Sequence, residues 1–483
     1  MLRLAKSYWM LVILVVGCLL YLPFLGQRQL FVEEGRRALQ VVALLNGGSW
    51  WQLDVGGALY VAKPPMLPWL MALSSFITGG INEWAVRLPS VISVIVAALA
   101  SGGIASVMAG MTGAAQHKRL AALAGGLAFL TCPSIIERAR VGETDMVETA
   151  SVALAFLAFF IARSRNQYTF AHWLGIGAPL AVGALAKGPI PVAFVAVPIL
   201  MTFALDRDGK RLVIAVAVLC AALAPLGLWA YLNMNAAGDG IWAAETRVSK
   251  INLLLRLEGL LPLLYLNQIP RWLVGMMPWS ALAAIYVWQR RKDIRHDALL
   301  RAVLLYAIPV SVVVLLWPGA RGRYALPAIV PVMALAGVFI ADQWASVTIR
   351  RVFAVSASCL AVVALGMAAM TGRAEGTARF RANVSVLQQL IQERAVQRIH
   401  FIDMHKVATT GTIDAINFLA YARRPVRIED FSGVGSPSAG DMLILGRESD
   451  VAPIALRRWK PDGMLGTTGL RIYFPSGERS SAR

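Results

Sequence analysis

The sequence predicts an all-α polytopic membrane domain followed by a small α/β domain outside the membrane. Of the 483 residues, 58% are hydrophobic and only 15% are charged, and the mean hydropathy is +0.62. Soluble domains average about a quarter charged residues, so most of this chain is expected to contact lipid. Long apolar runs recur until about residue 371 and then stop. We therefore expect two domains, residues 1–371 in the membrane and residues 372–483 outside it.

Apolar runs of roughly 17–25 residues are long enough to cross a membrane as helices. The first run follows Arg3 and Lys6, and no small-x-small cleavage site follows it, so we expect a retained helix rather than a signal peptide. About eleven runs can be marked on this criterion. They lie near 8–25, 85–110, 119–134, 146–162, 171–186, 188–205, 211–233, 271–289, 298–317, 325–341 and 352–371.

The formal net charge of +19 is attributed to membrane topology rather than to nucleic-acid binding, because much of the Lys and Arg lies in short loops between apolar runs. Basic loops occur at every second connection: the N-terminus, His117–Arg119, Arg163–Arg165, Arg207–Arg211, Gln289–Arg295 and Arg350–Arg351. The positive-inside rule predicts that these loops are cytoplasmic. The intervening connections then face outward, and they include 26–84, about 135–145, the turn at Lys187, 234–270, 318–324 and the chain after about 372.

The last part of the chain shows short alternations in place of long apolar runs. They predict a helix near 383–396, a strand at Arg398–Ile402, a helix near 412–421, and strands near 425–428 and 442–446. This pattern indicates a small α/β domain on the outer side of the membrane. We expect it to cover the site or to dock the acceptor.

Two adjacent carboxylates, Glu33 and Glu34, follow the first apolar run. Ionisable groups near lipid are costly unless they are paired or functional. One interpretation places them in the first turn of a helix, where acids complement the helix dipole. The other makes one of them a general base, or a substrate-orienting carboxylate, at the mouth of a site.

Lys63 precedes two prolines, Pro64 and Pro65. Proline fixes its own backbone and restricts the residue before it, so Lys63 is expected on a stiff, extended turn. Such a lysine is suited to contact a phosphate. The alternative is an interfacial lysine that extends to water beside Trp69.

The order of the charged motifs resembles a known family. The motifs are Glu33-Glu34-Gly35-Arg36-Arg37, Lys63-Pro64-Pro65, Asn82-Glu83-Trp84-Ala85-Val86-Arg87-Leu88-Pro89, Glu143-Thr144-Asp145, Leu185-Ala186-Lys187-Gly188-Pro189, Met277-Pro278-Trp279-Ser280 and Arg321-Gly322-Arg323-Tyr324-Ala325-Leu326-Pro327. This order is similar to that of the protein O-mannosyltransferase superfamily. It is closest to the bacterial branch that contains the lipid A aminoarabinose transferases (glycosyltransferase family 39 and relatives, GT-C fold). The resemblance covers roughly residues 8–345.

The resemblance implies transfer of a sugar from a polyprenyl-phosphate donor, by inverting displacement, at the periplasmic face of the bacterial inner membrane. The acceptor would be lipid A or lipopolysaccharide, another glycan, or a protein. Negative charge grows on the leaving phosphate as the glycosidic bond breaks, so cations must contact it. The expected site, grouped around one cavity, has catalytic Glu33, Glu34 and Asp145, donor-phosphate-binding Lys63, Arg271, Arg321, Arg323 and Tyr324, and substrate-binding Arg36, Arg87, Glu143 and Lys187.

The first motif departs from the family pattern. Family members usually have Asp-Glu followed two residues later by Arg-Tyr, whereas this chain has Glu33-Glu34 and then Arg36-Arg37. A hydroxyl acceptor needs a base, and Glu33 would serve; an acceptor phosphate is already anionic and needs none. In the second case Glu33 and Glu34 would orient the sugar or lysines. The residues leave both readings open.

No metal site containing histidine is expected, because His117, His172 and His296 fall in cytoplasmic loops or at span ends. A Mg²⁺ or Mn²⁺ ion bound by Glu143 and Asp145 stays open. Asp206-Arg207-Asp208 has the acid-x-acid form of a nucleotide-sugar metal motif. It lies on the cytoplasmic side among basic residues, so we interpret it as a solvated loop.

Two other classes of protein are weighed against the enzyme. A transporter or flippase predicts ionisable residues at mid-membrane depth and internal repeats, whereas here the acids lie at the boundary. A relative that has lost catalysis and acts as a scaffold is supported only by the departures at Glu33 and Arg37. Sugar pockets use scattered side chains, so the sugar, the acceptor and the polyprenyl length are not readable here.

Overall fold

The computed structural model of the chain describes residues 8–30, 33–111, 117–234, 268–316, 322–372, 375–401, 427–430, 437–445, 456, 458–464 and 471–476. The helices are α1 (Trp9–Tyr21), α2 (Glu34–Leu45), α3 (Met66–Thr78), α4 (Glu83–Met111), α5 (Lys118–Leu130), α6 (Pro133–Arg138), α7 (Thr144–Arg165), α8 (Phe170–Lys187), α9 (Ile190–Leu205), α10 (Gly209–Asn233), α11 (Gln268–Val274), α12 (Trp279–Gln289), α13 (Ala298–Ala307), α14 (Pro309–Leu316), α15 (Ile329–Asp342), α16 (Val347–Gly372) and α17 (Glu375–Glu393). The strands are β1 (Asp54–Val55), β2 (Ala58–Leu59), β3 (Arg398–Phe401), β4 (Arg427–Asp430), β5 (Asp441–Leu445), β6 (Trp459–Met464) and β7 (Arg471–Pro475). A 3₁₀ segment, Gly322–Ala328, precedes α15.

Among the described residues, six helical segments are long and apolar enough to cross a membrane. They are Glu83–Gly110, Thr144–Arg165, Gly209–Asn233, Ala298–Leu315, Gly322–Asp342 and Val347–Met370. Each apolar run marked in the sequence overlaps helical residues, and the runs near 119–134, 271–289 and 298–317 are each divided between two helices. The chain is thus a mostly helical, multi-pass membrane protein, and the finer count of about eleven spans remains a prediction.

The first of two compact units contains Met1–Pro23, Leu88–Ala230 and Ser249–Ala369. Its core is built around the buried aromatic face of α7, where the Phe156 and Tyr306 rings stack with centroids 3.6 Å apart. Phe159 packs edge-on against Phe203 of α9 at 6.1 Å. Offset and edge-on aromatic pairs of this kind add to the burial of apolar area, so α7 is held firmly between its neighbours.

Helices α7 and α8 approach closely because Gly183 has no side chain. A Cβ atom at this position would lie 3.0 Å from the Cβ of Ser151, a separation that real Cβ atoms rarely show. Helix α8 ends at Lys187, and Gly188 follows with a φ of 80°, which glycine adopts without strain. The chain then turns into α9, so the structure confirms the hairpin predicted around Lys187 and brings its tip beside the start of α7.

The second unit contains Phe24–Arg87, Tyr231–Val248 and Met370–Arg483. Helix α2 packs in this unit against α3 and the short β1–β2 hairpin. The indole N–H of Trp69 donates to the carbonyl oxygen of Trp50 at 2.7 Å, and its ring meets Trp51 edge-on at 5.2 Å. These contacts fix the start of α3, which directly follows the Lys63-Pro64-Pro65 motif.

The C-terminal residues form a five-stranded sheet with the order β4-β3-β5-β7-β6. Strands β4, β3 and β5 are parallel, and β7 and β6 continue the sheet in antiparallel pairing. The predicted strands at 398–402, 425–428 and 442–446 correspond to β3, β4 and β5, and α17 covers much of the predicted helix near 383–396. The helix predicted near 412–421 lies outside the described residues. A separate domain starting at 372 remains a prediction, because residues 370–483 share a compact unit with 24–87.

Candidate active site

The predicted site residues form two clusters, one in each unit, and each is described by itself. In the second unit, Glu34 begins α2 and is fully buried, and Arg87 lies near the start of α4. The Arg87 guanidinium donates from Nε to Glu34 Oε1 at 2.9 Å and from Nη2 to Oε2 at 2.8 Å. This two-point geometry is the strongest form of an arginine–carboxylate pair.

The remaining donors of Arg87 hold the loop that follows α1. They reach the carbonyl oxygens of Leu25, Arg28 and Gln29 at 2.8, 2.7 and 2.8 Å. Arg87 and Glu34 therefore neutralise each other and fix the backbone before the first acidic motif. This arrangement favours a structural role for both, rather than the catalytic and substrate-binding roles predicted for Glu34 and Arg87.

Glu33 has a different environment from Glu34. Its side chain is 26% exposed, and its oxygens lie 3.5 Å from Arg36 Nη2 and 3.9 Å from Arg37 Nη2. These ion pairs are longer than a hydrogen bond, so the carboxylate is oriented by two cations but still reachable. Of the two adjacent acids, Glu33 better meets the requirements of a general base.

Arg36 and Arg37 both lie close to the buried Tyr60 ring. Their guanidinium carbons are 5.8 and 5.2 Å from the ring centroid, within the range of cation–π attraction. Arg37 stands where the family pattern has a tyrosine, and it is almost fully buried with a hydrogen bond to Gln40 at 3.3 Å. The departure at this position therefore adds a second buried cation beside Glu33.

Lys63 is half-buried in the loop before α3, and Pro64 and Pro65 after it are buried. Arg28, elsewhere in the unit, is also partly enclosed. Burial lowers the pKa of the Arg28 guanidinium, Glu34 raises it, and Arg87 lowers it again, so the net shift is downward. The first acidic motif thus lies in surroundings rich in cations, which suit an anionic ligand.

In the first unit, Lys187 at the tip of the α8–α9 hairpin contacts two carboxylates. Its Nζ atom lies 2.6 Å from Asp145 Oδ1 and 2.5 Å from Glu148 Oε2, both near the start of α7. All three side chains are buried to at least nine-tenths. The close approach of α7 and α8 at Gly183 and Ser151 makes this contact possible, since Lys187 lies one turn beyond Gly183.

Arg323 and Tyr324 come from the 3₁₀ segment before α15 and complete this cluster. Arg323 Nη1 forms an ion pair with Glu143 and lies 3.8 Å from Asp145 Oδ2. The Tyr324 ring lies beneath Lys187, with 5.0 Å between Nζ and the ring centroid. The structure therefore joins Glu143, Asp145, Lys187, Arg323 and Tyr324, which the sequence predicted from three separate motifs.

Each cation of this cluster lies beside two carboxylates: Lys187 beside Asp145 and Glu148, and Arg323 beside Glu143 and Asp145. A cation already paired with buried carboxylates has little attraction left for a phosphate. This pairing favours sugar contacts for the cluster and weakens the donor-phosphate role predicted for Arg323 and Tyr324.

The other predicted phosphate ligands are placed differently. Arg271 is exposed on α11. The end of that helix is fixed by Ser134, whose backbone N–H and hydroxyl both donate to the Gly275 carbonyl oxygen at 2.9 Å. Arg321 lies outside the described residues, so its role stays a prediction.

Glu148 was not predicted from the sequence. It lies three residues after Asp145, so the two acids share one face of α7. A usable signal was present: Glu148 is an acid inside the apolar run 146–162, and ionisable residues within spans are functional candidates by default.

Within the part of the chain that the structure describes, no three His, Cys, Asp or Glu side chains are arranged so that they could hold a metal ion. Glu143 and Asp145, considered for Mg²⁺ or Mn²⁺, are paired with Arg323 and Lys187. Asp206 forms an ion pair with Arg163 and lies 3.5 Å from Arg301. The acid-x-acid segment is thus a bridge between basic side chains rather than simply a solvated loop.

Comparison with known sequences supports the resemblance. Residues 62–230 match the family described as dolichyl-phosphate-mannose-protein mannosyltransferase. Two curated relatives are undecaprenyl phosphate-alpha-4-amino-4-deoxy-L-arabinose arabinosyl transferases. The one from Erwinia tasmaniensis is 25% identical over 332 residues, 66% of this chain and 56% of the relative. The one from Pseudomonas aeruginosa is 25% identical over 344 residues, 69% of this chain and 59% of the relative. The match therefore spans less than two thirds of either relative.

Solved structures of two kinds of enzyme have a similar fold. ArnT from Cupriavidus metallidurans bound to undecaprenyl phosphate has a TM-score of 0.65 at 16% identity, covering 96% of this chain and 97% of ArnT. Its apo state has a TM-score of 0.64, also at 16% identity, covering 97% and 98%. The Archaeoglobus fulgidus oligosaccharyltransferase with zinc and sulfate has a TM-score of 0.56 at 13% identity, covering 96% of this chain and 72% of that one. The resemblance predicted from the motifs is confirmed: this chain has the GT-C fold, and its residues 62–230 match the dolichyl-phosphate-mannose-protein mannosyltransferase family.

Proposed function

We propose that this chain is a membrane glycosyltransferase that moves a sugar from a polyprenyl phosphate to an acceptor on the periplasmic face of a bacterial inner membrane. The observation that carries the proposal is the pair of buried charged clusters at the ends of apolar helices, in a chain of this family and fold. Buried charges are costly in a membrane protein unless they are paired or functional. The relatives' names and the ArnT structure bound to undecaprenyl phosphate support undecaprenyl phosphate as the lipid carrier.

The proposed chemistry is an inverting displacement at the anomeric carbon. The lipid phosphate leaves with growing negative charge, which Lys63 and Arg271, two of the phosphate ligands predicted from the sequence, would stabilise. Arg321 is a further candidate for this role. Arg36 and Arg37 lie close to Glu33 and set its orientation.

Glu33 acts as general base if the acceptor is a hydroxyl of a glycan or protein. If the acceptor is a phosphate, such as one on lipid A, no proton needs to be removed, and Glu33 then orients the acceptor or its cations. The two cases predict different results for Glu33→Gln, which keeps the size of the side chain but removes its basicity. Loss of transfer of about 10²–10⁴-fold indicates a base, whereas a smaller loss indicates an orienting role.

Mass spectrometry of lipid A, envelope glycans and envelope proteins tests the function in cells. We expect one glycan to lose a pentose or hexose when the gene is deleted, and to regain it when the wild-type chain is returned. Glu137→Gln is the matched control, because Glu137 is exposed and pairs only with the adjacent Arg138 among the described ion pairs. An unchanged envelope after deletion would contradict the proposal.

The transporter alternative gains no support from the buried acids. Glu148 lies four residues into α7 from Thr144, which corresponds to about 6 Å along the helix. The apolar core of a membrane is about 30 Å thick, so this carboxylate is far from its centre. A transport pathway places its ionisable groups near mid-depth.

A further inference from the structure

Glu148 has a carboxylate oxygen that the protein leaves unsatisfied. Oε2 contacts Lys187 at 2.5 Å, but Oε1 is buried and has no hydrogen-bond partner among the described residues. A carboxylate accepts up to about four hydrogen bonds, and leaving a buried acceptor unmet destabilises the protein. The unsatisfied Oε1 atom, called the open oxygen below, therefore requires a hydrogen-bond donor that is not part of the described chain.

A purely structural role as counter-ion to Lys187 does not account for Glu148. Asp145 already contacts Lys187 at 2.6 Å, and Glu143 pairs with Arg323. Glu148 is therefore a second carboxylate on a lysine that Asp145 already neutralises. Burying this second carboxylate carries a desolvation cost that one shared lysine does not offset.

The chemistry of the missing partner follows from the charge. A phosphate would be repelled by the two carboxylates at Lys187 and would bring a further acceptor rather than a donor. A group that donates hydrogen bonds suits the open oxygen, and hydroxyl and ammonium groups both do so. The Tyr324 ring, 5.0 Å from Lys187 Nζ, adds an aromatic surface to the same cluster.

Resting on the function proposed above, we propose that Glu148 binds the sugar being transferred. Its Oε1 accepts a hydrogen bond from a hydroxyl or ammonium group of that sugar, while Oε2 keeps Lys187 in place. Glu148 is then a specificity-determining residue for the donor, and the lipid phosphate binds to other cations.

Binding measurements with the purified full chain in detergent separate the sugar from the lipid. The probes are undecaprenyl phosphate and its conjugates with mannose and with 4-amino-4-deoxy-L-arabinose. We expect the wild-type chain to bind at least one conjugate more tightly than the bare lipid phosphate. Glu148→Gln should reduce this sugar-dependent gain by roughly tenfold and leave the affinity for bare undecaprenyl phosphate unchanged. A loss confined to the amino sugar indicates an ammonium contact, and a similar loss for both conjugates indicates a hydroxyl contact.

Ser151→Ala is the matched control, because Ser151 is buried on the same helix and its hydroxyl donates only to the Val147 carbonyl among the described bonds, at 2.8 Å. The inference is overturned if Glu148→Gln keeps the full sugar-dependent gain, or weakens all three lipids equally. If Glu148→Gln does not fold, Glu148→Asp is measured in its place, because it keeps the negative charge but its side chain is one methylene shorter. A reduced preference for the sugar conjugate over the bare lipid phosphate then supports the inference, and an unchanged preference overturns it. A wild-type chain that shows neither a gain nor sugar transfer would instead contradict the proposed function itself.

Discussion

Adjacent acidic residues in this chain have opposite environments. Glu34 is enclosed and bound at two points by Arg87, whereas Glu33 remains partly exposed beside Arg36 and Arg37. A sequence reading treats the two glutamates alike, because nothing in their spacing tells which one a distant arginine will bind. The distinction depends on Arg87, which lies 53 positions along the chain from Glu34.

This difference predicts unequal effects on stability. Glu34→Gln removes one partner of a buried ion pair and leaves the Arg87 charge uncompensated, so we expect the free energy of unfolding to fall by about 3–5 kcal/mol. Glu33→Gln changes a partly exposed side chain whose ion pairs with Arg36 and Arg37 are 3.5 and 3.9 Å long, and it should cost less than about 1 kcal/mol. Unfolding of the two purified variants, measured side by side in the same detergent, checks this. Equal losses of unfolding free energy in the two variants would show that the Glu34–Arg87 pair does not stabilise the protein more than the ion pairs of Glu33.

At the scale of single elements, most of what could be predicted, namely helices and one turn, was predicted from apolar runs and turn residues. Periodic apolar composition located the helices, and Lys187-Gly188-Pro189 located the turn between α8 and α9. The interpretation that placed Glu33 and Glu34 in a first helical turn agrees with the start of α2, but the length of α2 and the whole of α3 were not predicted, because both lie in a stretch interpreted as an outer loop. Strands β6 and β7, which pair as an antiparallel hairpin, were also missed.

The contact between α7 and α8 gives a prediction for an element. A valine at Gly183 would place a Cβ 3.0 Å from the Cβ atoms of Ser151 and Pro191, so the helices must separate. Lys187, one turn away, then loses its short contacts with Asp145 and Glu148. We expect Gly183→Val to reduce sugar transfer at least tenfold, whereas Gly227→Val, at a position with no atom within 4 Å, should keep activity. A Gly183→Val chain with full activity would show that close packing is not required for the cluster.

The C-terminal sheet gives a pH-dependent prediction. Burial raises the pKa of Asp441, but the Ser438 backbone N–H and the Arg398 guanidinium lower it more, so the net pKa lies below its ordinary value. Arg398 Nε donates to Asp441 Oδ1 at 2.7 Å across the β3–β5 pair. A depressed carboxylate pKa contributes stability that is complete above the ordinary value of about 4 and is lost as the pH falls through the folded-state value.

Hydrogen exchange at β5 measures this contribution. Protection in the wild-type chain should be constant from neutral pH down to about pH 4, after correction for intrinsic exchange, and should decrease below it. Asp441→Asn should show reduced protection already at pH 7 and less change on acidification. The same pH profile in both proteins would contradict a role for this carboxylate.

For the whole molecule, the distribution of basic loops predicted the membrane topology, and the family resemblance predicted the reaction. The sequence predicted the fold and most members of the two clusters, since buried charged motifs stand out against apolar helices. It did not predict which cations are already neutralised. Arg323 and Lys187 were expected to contact substrate, but three carboxylates surround them, and this follows only from the packing of α7, α8 and the 3₁₀ segment.

Membrane orientation is tested by cysteine labelling in intact cells, after replacement of the four native cysteines. A thiol reagent that does not cross the inner membrane should label Ser49→Cys in the first outer loop. It should not label Gln167→Cys, which lies beside the basic residues Arg163 and Arg165 and is expected in the cytoplasm. Both positions are exposed. The reverse labelling pattern would contradict the proposed orientation.

Release of the lipid carrier is the most direct test of the central claim. Purified chain is reconstituted in liposomes with a sugar-labelled undecaprenyl phosphate and an envelope extract as the source of acceptor. We predict that labelled sugar moves to an envelope molecule while one undecaprenyl phosphate is released for each sugar moved, with Glu137→Gln active and Glu33→Gln impaired. A label that stays on the lipid carrier with every conjugate tested would contradict the assignment of this chain as a glycosyltransferase.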